Sequence, residues 1–552
     1  MRKAFRILLA FLLSALVFTL AVVLTRAETA GTVEVQILAL NDFHGNLLPP
    51  GKSVGGVEYL AAHIDNLRQL NPNTVVVSAG DLIGVSPLLS ALFHDEPTIE
   101  AFNLIGLDFS AVGNHEFDEG VHELLRMQAG GCHPVDGCQD GDGFEGADFL
   151  YLAANVTWKD NDQPVFPAYE VRTFEGVPVA FIGVTLEGTP TLVKADISEV
   201  NFLDEAEAVN ALVPELKEQG IETIVALIHE GGAQTPRTSG YNECVDISGP
   251  IVDIVNNLND EVDLVISGHE PFAYNCVIDD KVVTHALFFG RLLTRIDLTI
   301  SLRTHDVVAV AAENREVTHD VAADSRMTAL IERYKSIAAP FENRVVGAIT
   351  ADVTRATNAA GESALGDVIA DAQLDATDDP GSGEAVVAFM NPAGLRADLT
   401  YVSSPVAEGD GNMTYLEIYT VQPLGYSLVT MTLTGAQIDT LLEQQFEDCS
   451  QTRRDRILQV SAGFTYSWSL SAPPCDKVDP ATIMINGVQV DPAASYRVTV
   501  NSFLAKGGDR FTVFLEGTDR RGGDVDVDAL EKYIAANSPV PPGPQDRITQ
   551  VP

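Results

Sequence analysis

An α/β (α+β) fold spread over more than one domain is what this sequence predicts, and three observations predict it. Five short apolar runs, rich in β-branched residues, each end at a polar, mostly glycine-containing loop, which is the pattern of buried strands. Stretches with apolar residues at helical spacing lie among and after them. The chain has 552 residues, too many for one hydrophobic core.

The five runs come in order. VEVQILAL (33–40) leads into NDFHG, which carries Asp42 and His44. TVVVSA (74–79) leads into Gly80 and Asp81. The run from Phe109 to Val112 opens into VGNHEFD, with Asn114, His115, Glu116 and Asp118. ETIVALI (222–228) ends at His229, and VDLVIS (262–267) ends at Gly268, His269 and Glu270. Ligands of layered α/β sheets gather beyond the carboxyl ends of the strands. Five strand ends that each deliver Asp, Asn or His therefore predict one composite site. Asn114 can offer a metal its carbonyl oxygen. His115 can donate a proton, and Asp118 is close enough in sequence to orient its ring. Mixed oxygen and imidazole donors suit Zn²⁺, Mn²⁺ or Fe²⁺ better than an all-oxygen Mg²⁺ cage.

Taken together, NDFHG, SAGDLIG, VGNHEFD, LIHEGG and SGHE resemble the metallophosphoesterase domain of the secreted 5′-nucleotidase family, which includes periplasmic UDP-sugar hydrolases. The resemblance extends over almost the whole mature chain. It implies a four-layer αββα domain over residues 32–318, a connecting helix over 319–340, and a smaller α/β substrate-binding domain over 341–548. It also implies two divalent ions (Zn, Mn or Co). Asp81 would bridge them, Asp42 and His44 would hold one, and Asn114, His229 and His269 the other. The implied reaction is release of phosphate from a nucleoside 5′-monophosphate by a metal-bound hydroxide. His115, oriented by Asp118, would stabilise the transition state or protonate the leaving group. The same motifs serve a UDP-sugar pyrophosphatase and a broad or cyclic-nucleotide phosphoesterase. A surface binding protein with a decayed metal site is the reading outside enzymes.

The second half carries the residues that the resemblance links to the nucleotide. Arg355 lies in VTRATN, and Asn391 and Arg396 lie in NPAGLR. Arginine forks suit phosphate. Phe503 corresponds to one of two rings that sandwich the base, and Asp509, after two glycines, to the acceptor for the ribose hydroxyls. Two positions depart from the family. Its second ring follows the proline of a Pro-Phe-Gly turn, but the turn here is Pro423-Leu424-Gly425, with Tyr426 as a substitute ring. The family's glycine-histidine loop supplies another ligand two residues later, where this chain has Pro271. Glu270, water or His285 are the candidates to fill that gap.

Charge and cysteines bound the setting. A formal net charge of −44 argues against nucleic-acid polymers and anionic membranes as partners. Met1-Arg2-Lys3 and an apolar run from Ile7 to Leu24, ending near Ala27, form a secretory signal pattern over residues 1–27. The run is long enough to stay as an anchor. A secreted, periplasmic or cell-surface location follows. The six cysteines fall as local pairs, Cys132 with Cys138, Cys244 with Cys276 and Cys449 with Cys475, which read as disulfides. The oligomeric state is not legible.

Further elements follow from periodicity. Val57, Leu60, Ala61, Ile64, Leu67 and Leu70 predict an amphipathic helix over 57–70. Met327, Leu330, Ile331, Tyr334 and Ile337 predict another, with Pro340 as its stop. The second domain reads as a strand near 345–353, a helix around 364–374, and strands at 384–391 and 495–503. Thr434 is placed to cap a helix. The acidic loop from Gly130 to Gly146 matches no Ca²⁺-loop spacing and reads as solvated. His63, His94, His122, His133, His305 and His319 have no motif context and read as structural.

Overall fold

The computed structural model describes residues 31–552 apart from 52, 194, 405–406 and 451–455. The signal expected at 1–27 lies outside the described residues. The first half lays down twelve strands in its main sheets. They are β1 (Thr32–Leu40), β2 (Thr74–Ser78), β3 (Phe109–Ala111), β4 (Leu150–Leu152), β5 (Tyr169–Phe174), β6 (Val177–Val184), β7 (Thr223–Ile228), β8 (Leu264–Ser267), β9 (Ala273–Ile278), β10 (Lys281–Ala286), β11 (Leu292–Ser301) and β12 (Val307–Glu316). They form two six-stranded sheets, ordered β12-β11-β1-β2-β3-β4 and β9-β10-β8-β7-β6-β5. β1 to β4 are parallel, as are β6, β7, β8 and β10.

The sheets face each other. Val35, Ile37, Val75 and Val77 of one meet Val179, Phe181, Val225 and Leu227 of the other in one buried cluster. The outer face of the first sheet is covered by α1 (Val57–Arg68), α2 (Glu96–Ile105), α3 (Val121–Ala129) and α6 (Ser325–Glu342). That of the second is covered by α4 (Glu205–Glu218) and α5 (Pro250–Asn257). The result is the four-layer αββα architecture. It explains why the strand runs show no polar alternation. In β7, Val225 and Leu227 point between the sheets while Ile224, Ala226 and Ile228 point under the helices, so both faces are buried.

The second half builds a smaller α/β unit from α7 (Ala364–Asp375), β13 (Val387–Met390), β14 (Ser427–Thr434), α8 (Gly435–Glu443), β15 (Gln459–Val460), β16 (Ser495–Asn501), β17 (Thr518–Val525) and α9 (Asp526–Asn537). Its sheet runs β15-β13-β16-β14-β17. Thr434 caps α8 in a capping box with Gln437.

Three expectations are corrected. Leu70 lies beyond the end of α1 and is 68% exposed, so it is not part of the buried face. Pro340 does not stop α6, which continues to Glu342. Proline's φ fits a helix, and so near the end it costs only one backbone hydrogen bond. The 130–146 loop is not simply solvated. Asp140 and Asp142 pair with Arg333 of α6 at 2.5 and 2.7 Å, and the Cys132–Cys138 disulfide closes the loop's first turn. The other two disulfides join Cys244 to Cys276 and Cys449 to Cys475. His63 is structural as expected, its Nε2 lying 3.0 Å from the Thr318 carbonyl.

Candidate metal centre and nucleotide face

The site forms where the chain turns off the parallel strands. Asp42, His44, Asp81 and His269 all have positive φ, between 48° and 73°. Non-glycine residues rarely adopt this conformation, and it gathers at functional sites. It aims side chains from β1, β2 and β8 back across the strand ends. Glycine is required beside them. A Cβ on Gly113 would stand 2.1 Å from Asp81 Oδ1, and one on Gly80 2.6 Å from His229 Nδ1.

Six of the sequence-predicted residues come together. Asp81 Oδ2 lies 3.1 Å from His229 Nε2 and 3.6 Å from His44 Nε2, so one carboxylate faces imidazoles from two loops. Asp42, His44 and Asp81 form one group of converging ligand atoms, and Asp81, His229 and His269 a second. Asn114 Oδ1 sits 3.2 Å from His229 Nε2. His115 stands beside this cluster. Its backbone N–H donates to Asp81 Oδ1 (2.9 Å), and its Nδ1 lies 2.8 Å from Asp118 Oδ2.

The electrostatics match a site built around cations. Burial, with Asp81 adding to it, pushes the Asp42 carboxyl up to about 7. Burial also acts to raise Asp81, but His229 and His115 hold it well below the usual carboxylate range. Burial disfavours the charged form of His229, yet Asp81 outweighs this and raises it to about 10. Burial lowers His44 to about 4. Asn114 Nδ2 and His269 Nδ1 are buried without a hydrogen-bond partner among the described residues. Two adjacent buried carboxylates, three imidazoles and unpartnered polar atoms fit divalent ions of the zinc or manganese type.

Glu116 was named in the VGNHEFD loop but given no role from the sequence. Its carboxylate accepts N–H bonds from Asp81 (3.0 Å), Leu82 (2.8 Å) and Gly113 (2.6 Å), tying two ligand loops together. Its only sequence signal is its place in the GNHE string. His285 stands at the edge of the centre. It is buried near Asp42, but its Nδ1 accepts from the Leu287 N–H at 3.2 Å and faces the Asn41 amide. Its Nε2 lies 4.0 Å from Asp42 and is buried without a hydrogen-bond partner among the described residues, so the ring stands beside the gap left at Pro271. Glu270 packs against Gly231 and lies outside both ligand groups.

The second unit reaches this centre through Lys506, and the residues expected to meet a nucleotide lie around it in the sequence and fold. Phe503 and Tyr426 stack with centroids 5.8 Å apart and planes 15° from parallel. Tyr426 thus places a ring beside Phe503, next to a Leu424 that has none. Asp509 accepts from Asn391 Nδ2 (3.0 Å) and pairs with Arg456 (3.2 Å). Arg456 escaped the sequence reading because it sits in no motif. Arg355 is held by Asp398 (2.9 Å) and the Arg396 carbonyl (2.7 Å), while Arg396 is exposed. Lys506, also missed, donates to His269 Nε2 at 3.0 Å and so joins the two halves of the site.

A two-sheet sandwich with converging carboxylate and imidazole ligands at its strand ends defines a metallophosphoesterase, a metal-dependent phosphoester hydrolase. The family described as calcineurin-like phosphoesterase matches residues 35–272, and the 5′-nucleotidase C-terminal domain matches residues 345–516. The cell wall protein Lmo0130 of Listeria monocytogenes is 31% identical over 545 residues, covering 92% of this chain and 68% of that protein. The endonuclease YhcR of Bacillus subtilis is 31% identical over 517 residues, covering 91% of this chain, which spans only 40% of that protein. A 5′-nucleotidase precursor from Thermus thermophilus shares the fold, with a TM-score of 0.57 and 24% identity over 94% of this chain and 99% of that one. The chain belongs to the 5′-nucleotidase family of calcineurin-like phosphoesterases.

Proposed function

We propose that the chain is an exported phosphohydrolase that uses two divalent ions to release phosphate from nucleoside 5′-monophosphates. One observation carries the reading: Asp81 is shared by two ligand groups, and Lys506, from the loop that also carries Phe503 and Asp509, reaches His269 of one of them at 3.0 Å. Asp42, His44 and Asp81 would hold one ion, and Asp81, Asn114, His229 and His269 the other. Such ions lower the pKa of water and neutralise phosphoryl oxygens.

This chain's own residues do the rest. The base stacks on the Tyr426–Phe503 pair, whose rings separate slightly to take it, and stacking tolerates every base. Asp509, held by Asn391 and Arg456, accepts the ribose hydroxyls. Arg396, with Arg355 and Lys506, binds phosphate oxygens. His115, its ring fixed through Nδ1 by Asp118, presents Nε2 to the leaving oxygen and gives it a proton. The three disulfides fit an oxidising, extracytoplasmic setting.

The Bacillus relative's name raises phosphodiesters as a second class of substrate. The net charge of −44 weighs against a polyanion. The test is phosphate release from AMP, UMP, UDP-glucose and a cyclic nucleotide after chelation, then with Mn²⁺, Zn²⁺ or Co²⁺ restored. Metal-dependent turnover of the monophosphates supports the reading. Turnover mainly of UDP-glucose or the cyclic substrate replaces it.

A further inference from the structure

Behind the His115–Asp118 pair lies a second constellation of metal-ligating side chains. His94 precedes α2, Glu119 and Glu123 flank the start of α3, and His133 sits in the loop closed by the Cys132–Cys138 disulfide. Each offers one ligand atom, and these atoms all lie within 4.8 Å of one another. The imidazoles of His94 and His133 stack at 3.8 Å between centroids, with planes 15° from parallel. Their side chains are only 18% and 13% exposed.

The polar contacts have the form of a metal site. His94 Nδ1 lies 2.8 Å from Glu119 Oε2, and its Nε2 lies 3.1 Å from Asp136 Oδ2. His133 Nδ1 accepts the Asp136 N–H at 3.1 Å, with the Asp136 carboxylate 3.3 Å away. His133 Nε2 is then 4.0 Å from Glu119 Oε2, too far for a hydrogen bond and a spacing that a shared cation bridges. Arg126 clamps both oxygens of Glu123 and also holds Glu96. Three carboxylates thus surround two imidazoles with one already committed guanidinium.

We propose that His94, Glu119, Glu123 and His133 bind a further divalent transition ion of the Zn²⁺ class, separate from the Asp81 centre. Two imidazoles and two carboxylates suit such an ion, with bonds of roughly 2.0–2.2 Å. Its role is structural: it clamps the α2 entry, the α3 entry and the disulfide loop together. The clamp bears on the active centre through neighbours in sequence. Glu119 follows Asp118. His94 precedes Asp95, whose Oδ2 accepts the Gly84 N–H at 3.0 Å while the Gly84 carbonyl faces His44 Nδ1 at 2.9 Å. His94 and Glu119 also line a cavity of about 390 Å³ between the two halves of the chain, whose other lining groups include Asp95, Asp118, Asp524 and Asp528. This acidic cavity offers a cation an approach.

The test is Zn²⁺ titration by calorimetry of the full chain carrying Asp42→Asn, Asp81→Asn and His229→Ala, which disables the Asp81 centre. One equivalent is expected to bind, and to be lost when His133→Ala is added. In the otherwise unaltered chain, His133→Ala is expected to retain one equivalent of zinc fewer after dialysis, with an unchanged circular dichroism spectrum. Glu119→Gln serves in the same measurements if His133→Ala does not fold. Equal zinc content with and without these substitutions, or no binding by a folded chain lacking the Asp81 centre, overturns the proposal. Neither outcome depends on which phosphoester the protein hydrolyses.

Discussion

Lys506 Nζ lies 3.0 Å from Nε2 of His269, so the loop carrying Phe503 and Asp509 also delivers a cation to the edge of the metal-ligating cluster. An ammonium there faces the phosphate of any nucleotide whose base reaches Phe503. Lys506→Met is expected to raise KM for AMP about tenfold, the loss of one charge-assisted contact of roughly 1.4 kcal/mol, while bound metal is unchanged. Steady-state kinetics with elemental analysis checks this, and an unaltered KM removes Lys506 from substrate binding.

The pairing of His115 with Asp118 at 2.8 Å predicts a split between chemistry and metal binding. His115→Ala is expected to lower kcat by roughly 10²–10⁴ with both ions retained, since general-acid help is what it removes. Loss of metal in that variant contradicts the role and makes His115 part of the metal cluster.

If the stacked Tyr426 and Phe503 hold the base as proposed, either ring is expected to matter where Leu424 does not. Tyr426→Ala is expected to weaken nucleotide binding by about 1–3 kcal/mol per lost stack. Leu424→Ala is expected to change it little. Equilibrium binding of AMP to the chelated protein measures both, and equal effects refute the assignment.

Asp263 ties the start of β7 to β8, its Oδ2 accepting the Ile224 N–H at 2.9 Å. Burial, with Asp306 and Glu261 adding to it, pushes its carboxyl up to about 7. The folded value exceeds the unfolded one, so the folded state favours the protonated form. The stability this contributes is fully present below about pH 4 and is lost as pH rises through about 7. Asp263→Asn keeps an acceptor for Ile224 without the charge. It is expected to raise Tm over the parent by a few degrees at pH 8 and by little at pH 5. A pH-independent difference in calorimetric Tm contradicts the assignment.

The sequence by itself determined the sheets and the loops that bear ligands. Doubly buried strands such as β7 need unbroken apolar runs, a left-handed turn needs a glycine such as Gly80, and the close approach of Asp81 needs one at Gly113, so these are written locally. Asp42, His44, Asp81, Asn114, His229 and His269 were legible as candidates for the same reason, each standing at a strand's end. What only the tertiary structure decided is which distant side chains meet. Tyr426 proved to face Phe503, Arg456 to hold Asp509, Lys506 to reach His269, and His94 to stack on His133. These contacts join residues far apart in sequence, so no local period or spacing records them, and they exist only once the layers have packed.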